Sequence, residues 1–222
     1  MPKPNACSSR SARCTSSPES TIGSNGNAAG RQEFKIVSFA PDAQAGGSAP
    51  QGSDLSTHAT GYAAVGAGGP QPAADLAALR ARCTQPVDLT AFYADSEAAQ
   101  MLWGPSFRWL DEAWRSEGNG AEALARIVRP AAVGSVAGYA LHPGLLDACF
   151  QVVAFAKENP DEMAVAFAFA ALRLQEPAHG ETWWCHVART ERSKFDIQLL
   201  DDGGKVVAAI TGFQVRAASA SA

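Results

Sequence analysis

Large apolar side chains are nearly absent from residues 1–32, where Ser, Gly, Asn and Pro dominate, and they arrive in short alternating bursts from Glu33 onward. A segment that buries little apolar surface does not offset the entropy of ordering its backbone, so 1–32 is expected to be a disordered tail. EFKIVSF places Phe34 and Ile36 two apart, with Val37 and Phe39 after them, which predicts a strand. LSTHATGYAAV is a second strand candidate, able to pair back on the first across the loop AQAGGSAPQGS. GAGGPQPA, residues 66–73, is the clearest linker, and ADLAALRARC after it spaces Leu76, Leu79 and Cys83 at the three- and four-residue steps of a helix.

The second half of the chain carries stronger signals. Gly104 and Pro105 break the aromatic cluster MLWGPSFRWL, and LDEAWRS reads as a strand through Leu110 and Trp114. GAEALARIVRP is two-sided, because Ala, Glu and Leu favour a helix while strand pairing can hold the same residues extended. In LHPGLLDACFQ a helix begins at Pro143 and runs to about Lys157, where Glu158, Asn159 and Pro160 stop it. VAFAFAALRL, TWWCHVART, FDIQLL and KVVAAITGFQVRA then read as strands, the last two joined by the hairpin signal Asp201-Asp202-Gly203-Gly204. One apolar helix followed by an antiparallel sheet predicts an α+β layer in which the sheet wraps the helix.

Composition narrows the function classes. With 222 residues and 46% hydrophobic content the chain can bury a core, and a net charge of −4 offers no basic patch for nucleic acid and no polybasic segment for a membrane surface. No apolar run approaches the roughly 18 residues of a membrane span, and the N-terminus lacks the apolar stretch of a secretory signal, so a cytoplasmic protein is expected. Arg10, Arg13 and the serines around them, with Glu19 the sole acid of the tail, have the tint of an organelle transit peptide, but Pro and Gly disfavour its amphipathic helix. Cys7, Cys14, Cys83, Cys149 and Cys185 show no CxxC spacing and do not cluster with histidines, which predicts reduced thiols and no metal site. Cys149 follows His142 closely, yet a thiol packed on a helix is the commoner use of such a residue than a nucleophile.

Asp147 is the residue out of place. It sits among Leu145, Leu146, Cys149 and Phe150, with Gln151 four residues on, so a helix brings the carboxyl and the amide onto one face within touching distance. An ionised carboxyl among leucines loses hydration, and that setting favours the proton-bearing form a general acid needs. Gln151 would orient it, with Pro143 and Gly144 setting the start of the helix beside His142. The plainer reading is an early-helix Asp favoured by the dipole and solvated.

LHPGLLDACFQ resembles the HPxLLDxxxQ motif of the second hot-dog repeat in polyketide synthase dehydratase domains, and WGPSF resembles that family's YGPxF. EFKIVSF and STHATGYAAV look like the closing strands of the first repeat, DLAALRARC and VDLTAFYA like the inter-repeat linker, and FDIQLLDDGGKVVAAITGFQVR like the final hairpin. The resemblance spans roughly 33–217. It implies a truncated double hot-dog: disordered tail 1–32, first-repeat remnant 33–68, linker 69–98, C-terminal repeat 99–217 and tail 218–222. It further implies Asp147 as the acid that protonates the departing β-hydroxyl of a 3-hydroxyacyl thioester and Gln151 as the residue that orients it. Trp103, Gly104, Pro105, Phe107, His142 and Pro143 are implied as substrate-pocket residues, with Trp103 in place of the usual Tyr and the phenol's role lost.

The family reaction also needs a base, a His in HxxxGxxxxP of the first repeat. None of His58, His142, His179 and His186 is followed by that pattern, so the base motif is absent and the chain alone is expected not to dehydrate. The resemblance implies no cofactor, a substrate carried on the phosphopantetheine of acyl carrier protein, and acyl carrier protein, other polyketide synthase domains and a separate N-terminal hot-dog half as partners. Two alternatives stand beside it: a noncatalytic acyl-binding or scaffold module of a polyketide synthase, and a product-template or pyran-forming cyclase of the same fold.

Overall fold

A computed structural model describes residues 13–15, 31–39, 55–64, 66, 69–118, 120–159 and 164–217. The chain divides into two compact units, Met1–Gly69 and Pro70–Ala222. The first unit holds a three-stranded antiparallel sheet, β1 (Arg13–Thr15), β2 (Gln32–Phe39) and β3 (Leu55–Ala63), in that order. The expected pairing of EFKIVSF with LSTHATGYAAV is the β2–β3 ladder, in which Phe34 faces Gly61. β1 lies inside the span expected to be unstructured, and most of that span, the AQAGGSAPQGS loop and the tail 218–222 fall outside the described residues.

The second unit is an antiparallel sheet on a helix. Its strands are β4 (Gln85–Pro86), β5 (Leu110–Arg115), β6 (Glu122–Val128), β7 (Ala164–Ala168), β8 (Ala171–Leu174), β9 (Thr182–Glu191), β10 (Lys194–Leu200) and β11 (Val206–Ala217). They run in the order β4-β5-β6-β9-β10-β11-β7, with β8 also paired to β11. The helices are α1 (Leu76–Arg82), α2 (Leu89–Ala98) and α3 (Pro143–Ala156).

Period-2 alternation sorts the strand side chains between two cores. Ala123, Ala125 and Ile127 of β6 and Trp183, Cys185 and Val187 of β9 face the side packed by Leu145, Val152 and Phe155 of α3. Leu124 of β6 faces the opposite side, where Leu79 and Cys83 of the α1 segment close a smaller cluster with Leu200 and Val206. Arg80 lies 3.5 Å over the Trp114 ring on that side, and Trp114 stacks with Trp184 at 6.2 Å.

Three elements refine the sequence expectations. GAEALARIVRP is strand β6, because pairing to both β5 and β9 overrides the helix preference of Ala, Glu and Leu. VAFAFAALRL is two strands, broken at Phe169-Ala170 opposite Gly212, which has φ +61° and donates its N–H to Asp196 Oδ1 at 2.8 Å. That left-handed backbone lies in a bulge of β11, across which the pairing with β10 shifts register between Phe195–Phe213 and Ile197–Ile210. VDLTAFYA, read as linker, is helix α2, capped by the Asp88 carboxylate accepting from Thr90 N and Ala91 N. The DDGG hairpin forms as expected, with Asp201 Oδ1 accepting from Gly203 N and Lys205 N, both at 2.9 Å.

Candidate active site

α3 begins where its sequence places it. His142 is the N-cap and accepts from Gly144 N through Nδ1 at 3.0 Å, and Pro143 occupies the first turn, where its missing N–H costs nothing. Gly144 lets the helix press against the preceding loop: a Cβ there would meet Trp109 Nε1 at 2.5 Å and Ser106 O at 2.9 Å. Trp109 Nε1 donates to that same Ser106 carbonyl at 2.8 Å. The helix start is thereby fixed on the turn Pro105–Phe107, and Asp147 and Gln151 follow one and two turns along.

Four side chains then form one hydrogen-bonded chain. Gln151 Nε2 donates to Asp147 Oδ2 at 2.8 Å and to the Phe107 carbonyl at 3.0 Å, and Gln151 Oε1 accepts from the Tyr93 hydroxyl at 3.0 Å. Trp103 Nε1 also donates to Asp147 Oδ2, at 3.0 Å. Gln151, 4% exposed, is the one fully buried polar side chain among the described residues, and every one of its amide atoms has a use. Burial pushes the Tyr93 phenol up to about 12, against a hydrogen bond from the Leu110 backbone and the Arg108 charge, so it stays protonated. Arg108 holds the Trp103 carbonyl through Nε at 2.9 Å and lies 5.0 Å over the Tyr93 ring.

Asp147, Gln151 and Trp103 line a cavity of about 610 Å³ whose other walls are largely apolar, including Phe92, Phe150 and Phe213. A mostly apolar cleft with a few convergent polar groups is the usual form of a small-molecule site, and this volume falls in the ordinary range. The carboxyl is half-buried. Since two N–H groups converge on Oδ2, a proton on this carboxyl belongs on Oδ1.

Of the other expected pocket residues, Gly104, Pro105, Phe107, His142 and Pro143 are not among the cavity's lining residues. Phe107 contributes its carbonyl instead, and Gly104 caps the short turn. His142 is packed between the Trp109 and Tyr139 rings, at 5.2 and 4.9 Å. With Nδ1 accepting from Gly144, its neutral ring carries the proton on Nε2 and has no free lone pair for a base. His186 is on the other face of the sheet, bound to Glu122 Oε2 at 3.0 Å, where burial lowers its pKa against the pull of Glu122. Where the family's Tyr phenol was expected to be lost, the Trp103 indole brings a donor of its own to Asp147. Tyr93 is a residue that sequence reasoning missed; the signal for it was the Asp88 cap preceding LTAFYA.

Among the described residues no group of three or more His, Cys, Asp or Glu is placed to hold a metal ion, and no helix is long and apolar enough to cross a membrane.

Residues 71–222 match the family described as "Polyketide synthase dehydratase N-terminal domain". Mycoketide-CoA synthase of Mycobacterium tuberculosis is 30% identical over 149 residues, covering 67% of this chain and 4% of that protein. Polyketide synthase PksN of Bacillus subtilis is 26% identical over 170 residues, covering 73% of this chain and 3% of that protein. The dehydratase domain from the CurJ module of curacin polyketide synthase superposes with a TM-score of 0.68 at 30% identity, over 85% of this chain and 64% of that one. The CurF dehydratase domain, at 24% identity and a TM-score of 0.73 over 85% of this chain and 65% of that one, shares the fold. The chain therefore spans a few per cent of these synthases and less than two thirds of these solved domains. With its antiparallel hot-dog sheet wrapped on one helix, the chain belongs to the polyketide synthase dehydratase family.

Proposed function

We propose that this chain supplies the acid half of a dehydratase site, with Asp147 as proton donor and Gln151 as the residue that orients it. The substrate is a 3-hydroxyacyl thioester on the phosphopantetheine of an acyl carrier protein. A base takes the α-proton, the electron pair forms the Cα=Cβ bond, and the Cβ–O bond breaks as Asp147 Oδ1 protonates the leaving hydroxyl. Water departs and an α,β-unsaturated thioester remains. The observation that carries this reading is the convergence of Trp103 Nε1 and Gln151 Nε2 on Asp147 Oδ2 beside the cavity.

The same reading assigns 99–217 to the acid-bearing second repeat, on the helix-borne Asp147 and Gln151, although the matching family is described as an N-terminal domain. The base comes from elsewhere. HxxxGxxxxP is absent, and in the solved CurK dehydratase a histidine-to-phenylalanine variant and an aspartate-to-asparagine variant are each inactive. The partners proposed are an acyl carrier protein, neighbouring synthase domains and a histidine-bearing hot-dog half, with no cofactor in the acid-base chemistry.

The test is incubation of the chain with a 3-hydroxyacyl thioester on carrier protein, following loss of one water by mass. The expected result is no turnover by the chain alone and turnover once a histidine-bearing first repeat is added. In that complemented mixture D147N abolishes it; survival of activity removes Asp147 from the acid role, and robust turnover by the isolated chain sinks the missing-base argument.

A further inference from the structure

We propose that Tyr93, on α2 in the segment the sequence assigns to a linker, is a positioning residue for Asp147 and acts through Gln151. The inference deepens the acid role proposed for Asp147 and rests on it.

A side-chain amide has two orientations of nearly the same shape. In the observed one, Gln151 Nε2 faces Asp147 Oδ2 and the Phe107 carbonyl, and Oε1 faces Tyr93. Turned over, Oε1 would face Asp147 Oδ2, and a proton placed on Oδ2 could then be donated to the amide rather than to a substrate. Tyr93 opposes that state. Burial holds the phenol well above its ordinary range, so the O–H keeps its proton. The single O–H therefore reaches Gln151 Oε1, holding the acceptor end of the amide away from the acid and leaving any carboxyl proton on Oδ1.

Packing is the competing explanation for Tyr93. Its ring meets Trp103 edge-on at 6.1 Å and Phe92 at 5.2 Å, and Arg108 covers it. Y93F keeps the ring and removes only the hydroxyl, so it separates the two roles.

The experiment uses the full chain with NMR detection of the Gln151 side-chain amide and the Asp147 carboxyl carbon. Y93F is expected to speed exchange of the Gln151 amide protons with solvent about tenfold, the scale of one lost hydrogen bond, and to displace the Asp147 carboxyl resonance. Both signals unchanged in a folded Y93F overturn the proposal. Should Y93F fail to fold, 3-fluorotyrosine incorporation strengthens the O–H donor without changing the ring's shape, and it is expected to slow the same exchange; no change there overturns the proposal equally. The acid role is read separately, by titrating the wild-type chain with a 3-hydroxyacyl pantetheine thioester. Silent Asp147 and Gln151 signals in that titration refute the acid role even when Y93F behaves as expected, whereas a responsive wild type with a silent Y93F refutes the positioning role alone.

Discussion

The indole N–H of Trp103 donates to Asp147 Oδ2 at 3.0 Å, joining on one carboxylate oxygen two residues 44 positions apart in sequence. The loop that carries Trp103 is thereby tied to helix α3, and the carboxyl is held at one oxygen while the other stays available. A hydrogen bond to a carboxylate in a half-buried site contributes about 1–2 kcal/mol. W103F and D147A should therefore be non-additive in urea denaturation, with a coupling energy of about 1 kcal/mol or more. Additive losses would remove the bond from the account of the site.

G144A should destabilise the chain by about 1–3 kcal/mol, because overpacking a fixed contact forces displacement. The added methyl would stand 2.5 Å from Trp109 Nε1 and 2.9 Å from the Ser106 carbonyl, and the latter is backbone that the neighbouring turn holds in place. The expected signature is a lower urea midpoint with an unchanged slope, together with weaker binding of the thioester proposed as substrate as α3 shifts off the turn. A midpoint equal to wild type would mean that the helix start is not clamped.

How far the sequence discloses this site depends on the separation of its parts. The Asp147–Gln151 contact is legible because i and i+4 on a helix are neighbours whatever the rest of the fold does. Tyr93 meets Gln151 across 58 positions, and no local period encodes that. Helix α2 is hidden for a related reason: it has no fully buried residue, so the apolar stripe that reveals α3 is missing and only the Asp88 cap announces it. Strand β6 is ambiguous in sequence because its conformation is imposed by two neighbouring strands rather than by its own residues. His142 reads as a pocket residue from its place in the motif, but the helix takes its ring nitrogen as a cap.

G212A tests the break between β7 and β8. The residue has φ +61°, and a Cβ there would approach the Ala170 Cβ to 3.1 Å. An L-residue in the left-handed region costs about 1–2 kcal/mol, to which the close approach adds. The urea midpoint should fall by that amount, and amide exchange should accelerate in β7 more than in β6, since β7 pairs with β11 beside the bulge. Uniform loss of protection across the sheet would show that the bulge serves the whole layer rather than this edge.

Stability should fall on acidification through two groups on the face opposite the cavity. His186 Nε2 contacts Glu122 Oε2 at 3.0 Å, and Arg82 Nη2 meets the same oxygen at 2.9 Å. Burial pulls the His186 pKa below its ordinary 6.5, with Glu122 opposing, and the Arg82 hydrogen bond pulls the Glu122 pKa below its ordinary 4.5. Both folded values are depressed, so in each window the unfolded chain binds protons more readily than the folded one, and stability is complete only above the ordinary value. It should decline first as pH drops through 6.5 toward the folded His186 value, and again as pH drops through 4.5 toward the folded Glu122 value. Urea midpoints of wild type and H186Q measured across that range should diverge in the upper window, the variant losing less there. Parallel curves through the upper window would show that His186 gains its proton as easily in the folded chain as in the unfolded one.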